Sequence, residues 1–267
     1  MSAIRLGTRA STLATTQSEM VAGLLRSEGL DVNLTTITTH GDTSTASLAA
    51  MGGIGVFASA IRAALLEGEA DIAVHSFKDL PTGRPLGLAI GAVPARADPR
   101  DALVARDGLT LHDLPQEASV GTGSPRRAAQ LLAVRPDLTI VDIRGNVDTR
   151  LGRVKGLGRY AKNGGKEDLD AVVLAASGLA RLGHSGAVTE FLDPSVVLPA
   201  PAQGALAVEC RTADSRHGKL AKALARIDDR RTRLAATAER AVLSHLEAGC
   251  AAPIGALAQL KPVSGKS

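Results

Sequence analysis

Short apolar runs rich in β-branched residues alternate along this 267-residue chain with stretches whose apolar side chains recur every three or four positions. That alternation restricts the fold more than any other feature, because strand and helix units in succession build an α/β protein with a largely parallel sheet. "AIRLG" (3–7) reads as a first strand, and Ser11 can cap a helix that carries Leu13, Met20, Val21, Leu24 and Leu25 at helical spacing. "VNLTTITT" (32–39) reads as a second strand, followed by the glycine-rich loop "GGIGVF" (52–57) and a helix through Ile61, Leu65 and Leu66. "ADIAVHS" (70–76) fits a buried strand that Pro81 stops, and "LAIGAV" (88–93) follows.

The same rhythm repeats from about residue 100. "DALVAR", "ASVGTGS", a helix from Pro125, "LTIVDI", a helix around 147–160, "AVVLA" and a helix from Ser177 come in turn. "VVLPAPAQGALAVECR" (196–211) then crosses back toward the first series and ends in a strand, and 214–247 reads as helical. "NGGKED" (163–168) is a surface loop.

Ligands of such sheets collect at the carboxyl ends of the strands, so charged residues there carry the most information. "GTGSPRRAAQLL" (121–132) places Ser124 as helix cap, Pro125 in the first helical position and Arg126 and Arg127 in the first turn. Cations at that end oppose the helix dipole unless an anion sits before them, and guanidinium forks match carboxylates. A solvated helix start is the plainer alternative. "DIRGNVDTRL" (142–151) repeats the arrangement with Arg144 and Arg150, and "GTRAS" (7–11) offers Arg9 and Ser11. Three arginine-bearing loops imply a ligand with several carboxylates or phosphates. No Walker-type loop, and no GxGxxG after a strand, points to a nucleotide.

"VHSFKDLP" (74–81) puts Lys78 and Asp79 at the end of a buried strand. Such a pair is usually a cap, but among arginines an ionised Asp79 is a counter-charge for a cationic intermediate and a proton relay. His75 reads as a packed strand residue. Of the two cysteines, Cys210 lies in a strand-like run and reads as a small hydrophobe, whereas Cys250, in the turn "AGCAAPIG", is approachable and in basic surroundings would favour thiolate.

Charge and composition trim the alternatives. Thirty-one Lys and Arg against 27 Asp and Glu make the chain mildly basic, yet one Tyr, three Phe and no Trp leave almost no stacking platform for single-stranded nucleic acid. Two cysteines make no disulfide framework and the N-terminus lacks an apolar signal core, which predicts a cytoplasmic protein, and no apolar run approaches the roughly 20 residues needed to cross a bilayer, so no membrane partner is expected. The six histidines show no zinc-site spacing, so no metal is expected.

Together "RLGTRAS", "THGD", "GEADIAVHSFKDLPT", "VPARADPRDAL", "GTGSPRRAAQL", "DIRGNVDTRL", "LAASGLARLG", "LPAPAQGALAVECR" and "AGCAAPIGA" resemble the porphobilinogen deaminase (hydroxymethylbilane synthase) family over nearly the whole chain. The resemblance implies a transferase of haem and tetrapyrrole biosynthesis that joins four porphobilinogen units head to tail into hydroxymethylbilane with release of ammonia. It implies a dipyrromethane cofactor in thioether linkage to Cys250, and Asp79 as the catalytic carboxylate. It further implies that Lys78, Thr122, Ser124, Arg126 and Arg127 hold the cofactor, and that Arg9, Ser11, Arg144 and Arg150 hold substrate acetates and propionates. The implied fold is α/β, with two periplasmic-binding-protein-like domains of mixed, mostly parallel sheets and a small α/β third domain. Domain 1 would span 1–97 and 197–213, domain 2 98–196, and domain 3, carrying the cysteine, 214–267. Many relatives have lysines where this chain has Ile54 and Ser59, and usually continue with further strands after the cysteine turn, so a short third domain is expected. The expected state is a monomer whose partner is the small-molecule substrate. Two rival readings stay open: a non-catalytic binding module for a polycarboxylate, and, from charge alone, a nucleic-acid binder.

Overall fold

Nearly all the strand-like runs enter two five-stranded sheets with the same internal layout. The computed structural model describes residues 3–37, 55–83, 85–247 and 252–260. Its elements in chain order begin with β1 (Ile4–Thr8), α1 (Thr12–Ser27), β2 (Val32–Thr36), α2 (Gly55–Leu66), β3 (Ile72–Ser76) and β4 (Leu88–Ala92). They continue with β5 (Asp101–Ala105), β6 (Ser119–Gly121), α3 (Pro125–Val134), β7 (Thr139–Val141), α4 (Val147–Leu151), β8 (Ala171–Ala175), α5 (Ala176–Arg181) and β9 (Glu190–Phe191). Last come β10 (Leu206–Arg211), α6 (Gly218–Ile227) and α7 (Arg230–His245).

The chain divides into two compact units. The first gathers the described residues of 1–96, 205–247 and 256–260, the second those of 97–204 and 252–255. In the first, the strand order is β2-β1-β3-β10-β4, with β1 parallel to β2 and β3, and β10 antiparallel to β3 and β4. In the second it is β7-β6-β8-β5-β9, with β6 parallel to β7 and β8, and β5 antiparallel to β8 and β9. β10, at the end of the 196–211 segment, lies in the first sheet, between β3 and β4. An antiparallel strand starts where its parallel neighbours end, so Asp101 stands opposite Ala175 and Leu206 opposite Ser76.

Burial explains which positions of each run matter. On α1, Val21, Ala22 and Leu25 are fully buried against Leu6, Ile72 and Val208, while Met20 and Leu24, which share its apolar periodicity, are 48% and 43% exposed. Only one stripe of a helix can face a sheet, and each buried Leu or Val contributes about 1.5–3 kcal/mol. In the second unit both sheet faces are covered: Leu103, Val120 and Val173 pack with Leu131 on one side, and Val104, Val172 and Leu174 with Ile143 and Leu179 on the other.

Several boundaries differ from the sequence reading. The helix expected around 147–160 ends at Leu151, because Gly152, Gly156 and Gly158 follow and Gly156 takes φ +79°, a conformation that a helix cannot contain. The helical stretch 214–247 is two helices, since Asp229 leaves helical geometry and its side chain caps α7 by accepting from Thr232 N at 2.7 Å. The expected loop 52–57 already turns helical at Gly55, and β2 stops at Thr36. Ile54 lies outside the described residues.

Candidate active site

In the first unit, β1 and β3 are parallel neighbours, so the segments after Thr8 and Ser76 leave the sheet on one edge. Arg9 and Ser11 follow β1; Ser11 Oγ accepts from Ala14 N at 3.4 Å and so opens α1, as its position in "GTRAS" predicts. Phe77–Asp79 form a 3-10 turn directly after β3, which leaves Lys78 half-buried and Asp79 exposed while Phe77 points into the core. Pro81 ends the segment. The strand residue His75 lies 3.2 Å from the buried Glu209, which Arg62 also pairs at 3.0 Å. Burial pushes the Glu209 carboxyl up, but hydrogen bonds from His75 and Arg62 outweigh it and leave it below its ordinary value.

The second unit assembles its arginines on the matching edge. β6, β7 and β8 are parallel there, and the loops after β6 and β7 touch: a Cβ on Gly123 would stand 2.7 Å from the Ile143 carbonyl oxygen. Thr122 is buried, its Oγ1 accepts from Ser124 N at 3.2 Å, and Ser124 Oγ accepts from Arg127 N at 3.5 Å as the cap of α3. Gly145 takes φ +101°, which frees Asn146 to cap α4 by accepting from Thr149 N at 2.8 Å.

Arg126 and Arg127 are 4% and 6% exposed and turn inward. Arg126 Nη2 donates to Asp101 Oδ2 at 2.8 Å and its Nη1 to the Leu198 carbonyl at 2.5 Å. Arg127 donates to Asp101 Oδ1 from Nε at 3.0 Å and Nη2 at 2.7 Å, and from Nη1 to the Val173 carbonyl at 3.0 Å. Asp101, fully buried, also accepts from Gln203 Nε2 at 2.8 Å. Burial alone would raise its pKa, but the charges and hydrogen bonds of Arg127 and Arg126 bring it down to about 2. The sequence reading missed this aspartate; the available signal was a carboxylate opening the otherwise apolar strand "DALVA".

Arg150 has a different situation. It donates from Nε to the Gly145 carbonyl at 2.9 Å and forms no ion pair among the described residues. Its pKa is lowered by burial first and then by the positive charge of Arg127, with Arg144 adding to it and Asp142 opposing. Arg144 itself is exposed, 3.8 Å from Asp142. A guanidinium whose positive charge is disfavoured by burial and by like charge is stabilised by any anion that arrives. Arg181, on α5, was likewise missed: burial takes its pKa down to about 10, and it donates to the Gly204 carbonyl at 2.7 Å with no acidic partner among the described residues. Carboxylates of a dipyrromethane therefore fit the chemistry of this edge.

Cys250 lies outside the described residues. Cys210 is fully buried, and burial raises its thiol to about 11, which agrees with the small-hydrophobe reading. A cavity of about 650 Å³ in the first unit is lined by Phe77, Leu80, Pro81, Ile90, Arg240 and His245, and by none of the sequence-predicted site residues. Among the described residues no group of three or more His, Cys, Asp and Glu is arranged to hold a metal ion, and no helix is long and apolar enough to cross a membrane.

Each of the two α/β units carries basic and capping residues at the carboxyl edge of a mixed sheet, an arrangement whose chemistry suits anionic groups. The family described as "Porphobilinogen deaminase, dipyromethane cofactor binding domain" matches residues 4–219, and "Porphobilinogen deaminase, C-terminal domain" matches 233–265. Curated relatives named porphobilinogen deaminase are 57% identical in Micrococcus luteus, over 97% of this chain and 74% of the relative, and 58% identical in Leifsonia xyli, over 97% and 76%. The chain thus spans about three quarters of their length. Among solved structures, a nutrient-binding protein from Burkholderia cenocepacia bound to methionine is similar over 83% of this chain and 91% of its own, at 16% identity and a TM-score of 0.48; the assignment rests on the sequence matches and not on it. The chain belongs to the porphobilinogen deaminase family of transferases in tetrapyrrole biosynthesis. That membership decides for an enzyme with a dipyrromethane cofactor over a non-catalytic binding module.

Proposed function

We propose that the residues at the two sheet edges divide the work of joining four porphobilinogen units into hydroxymethylbilane with release of ammonia. The single observation that carries the division is the partly buried charge of Arg150, without an ion pair among the described residues and beside Arg127 and Arg144, which suits acetate and propionate groups. Bound at Cys250 through a thioether, dipyrromethane supplies the primer to which new units are joined. Arg126 and Arg127, tied to Asp101, give its carboxylates a fixed positive floor, with Thr122, Ser124 and Lys78 as further donors. Arg9, Ser11, Arg144 and Arg150 receive the carboxylates of incoming substrate and orient it.

Asp79 provides the one carboxylate of the first unit's set. Standing exposed at the end of β3, it assists departure of ammonia from porphobilinogen and opposes the positive charge that develops on the pyrrole nitrogen. The C-terminal segment 214–267 carries the tether, and the protein works as a cytoplasmic monomer.

The test is incubation of the cofactor-loaded protein with porphobilinogen while ammonia and bilane are measured, beside Asp79→Asn. The expected outcome is about one ammonia released per unit joined and a rate that falls at least about a hundredfold in the variant. Tight carboxylate binding without ammonia, unchanged by Asp79→Asn, would overturn it.

A further inference from the structure

The turn that carries Lys78 and Asp79 starts at Phe77, whose N donates to the Ala205 carbonyl at 3.0 Å. It has no side-chain cap, and its internal hydrogen bond, from Leu80 N to Phe77 O, is 3.4 Å long. Phe77, Leu80 and Pro81 also line the cavity on one flank of the turn. What holds its carbonyls comes from α7. Arg240 donates from Nη1 to the carbonyl oxygens of Phe77 at 2.9 Å and Leu80 at 2.8 Å, and from Nη2 to that of Pro81 at 2.7 Å. Its guanidinium carbon lies 4.5 Å over the Phe77 ring.

Arg240 is in turn well anchored. The residue before it, Glu239, is 1% exposed and pairs with Arg96 through two bonds of 2.6 and 2.9 Å. At the other end of α7, Thr232 Oγ1 accepts from Arg96 N at 3.0 Å, and Arg233 donates to the Ile90 and Gly91 carbonyls. A planar fork with fixed donor directions, mounted on a helix fastened at several points, can set three carbonyls at once, whereas the three donors of a lysine ammonium radiate from one nitrogen and do not reproduce the fork.

We infer that Arg240 is a positioning residue for the reaction: by gripping the backbone on both sides of Asp79 it sets the direction of that carboxylate. The inference rests on the proposed role of Asp79. The same helix leads toward Cys250 in sequence, so the segment that carries the tether also braces the catalytic turn.

A double-mutant cycle on the cofactor-loaded enzyme tests it, with kcat, KM, thermal midpoint and intact mass measured for Arg240→Gln, Arg240→Lys, Asp79→Asn and Arg240→Gln/Asp79→Asn. Misplacement by about 1 Å can cost about a hundredfold, so Arg240→Gln is expected to lower kcat about 10- to 100-fold with KM within about threefold and the cofactor mass retained. Arg240→Lys should recover part of the loss. In the Asp79→Asn background, Arg240→Gln should cost less than about threefold more, since the group it positions is gone. An equal loss in both backgrounds, or one that follows the thermal midpoint or loss of cofactor mass, would overturn the inference while leaving the role of Asp79 intact. An unchanged rate in Asp79→Asn would remove that role and the inference with it. If Arg240→Gln does not fold, the lysine variant carries the same cycle.

Discussion

Replacing Asp101 by Asn removes one negative charge and changes the size of the side chain very little, so its effect isolates electrostatics. In the native protein the fully buried carboxylate accepts four hydrogen bonds, three from Arg126 and Arg127 and one from Gln203. An asparagine offers one oxygen and turns an NH₂ donor toward guanidinium donors, leaving two nearly buried cations without a counter-charge. Breaking a buried ion pair from one side costs about 3–5 kcal/mol. A second route gives a compatible figure: the fall of the carboxyl from its ordinary 3.8 to about 2 corresponds to roughly 2–3 kcal/mol between its charged and neutral forms. For a chain of this size, that predicts a thermal midpoint lower by about 6–20 °C and a lower urea midpoint at unchanged m. Circular dichroism followed through urea and thermal unfolding measures it. If the loss arises from uncompensated charge, the triple change Asp101→Leu, Arg126→Met and Arg127→Met should return much of the stability. A loss in Asp101→Asn below about 1 kcal/mol would refute the electrostatic account.

The same group sets an acid dependence. Its folded pKa lies below its unfolded one, so its contribution is fully present above about pH 4 and is lost as pH falls from there toward 2; Asp101→Asn should flatten urea midpoints across that window relative to the parent protein. Arg150→Gln breaks no ion pair among the described residues, so stability should stay within about 1 kcal/mol while KM for porphobilinogen rises about tenfold and loses part of its salt dependence, as steady-state kinetics at two ionic strengths would read. Iodoacetamide at pH 8 should leave Cys210 unlabelled in the native enzyme and label it after denaturation, with peptide mass spectrometry as the readout.

The sequence determined by itself whatever depends on neighbours along the chain. Ser11, Ser124 and Asn146 cap their helices through bonds that span three residues, and strands such as "IAVHS" and "AVVLA" declare themselves by apolar, β-branched composition. The motif order was enough to reach the family, and with it the cofactor. Tertiary structure alone decided which stripe of α1 is buried, where the 147–160 helix stops and how the charges of the site pair. Arg126 and Arg127 were legible as a first-turn pair, but their partner Asp101 lies 25 and 26 residues away and meets them only because β5 runs antiparallel to β8. Arg240 reaches Phe77 across 163 positions in the chain. Charge pairing and clamping depend on distance through space, which the linear order of residues does not contain until strand pairing and helix packing bring distant segments within a few ångströms.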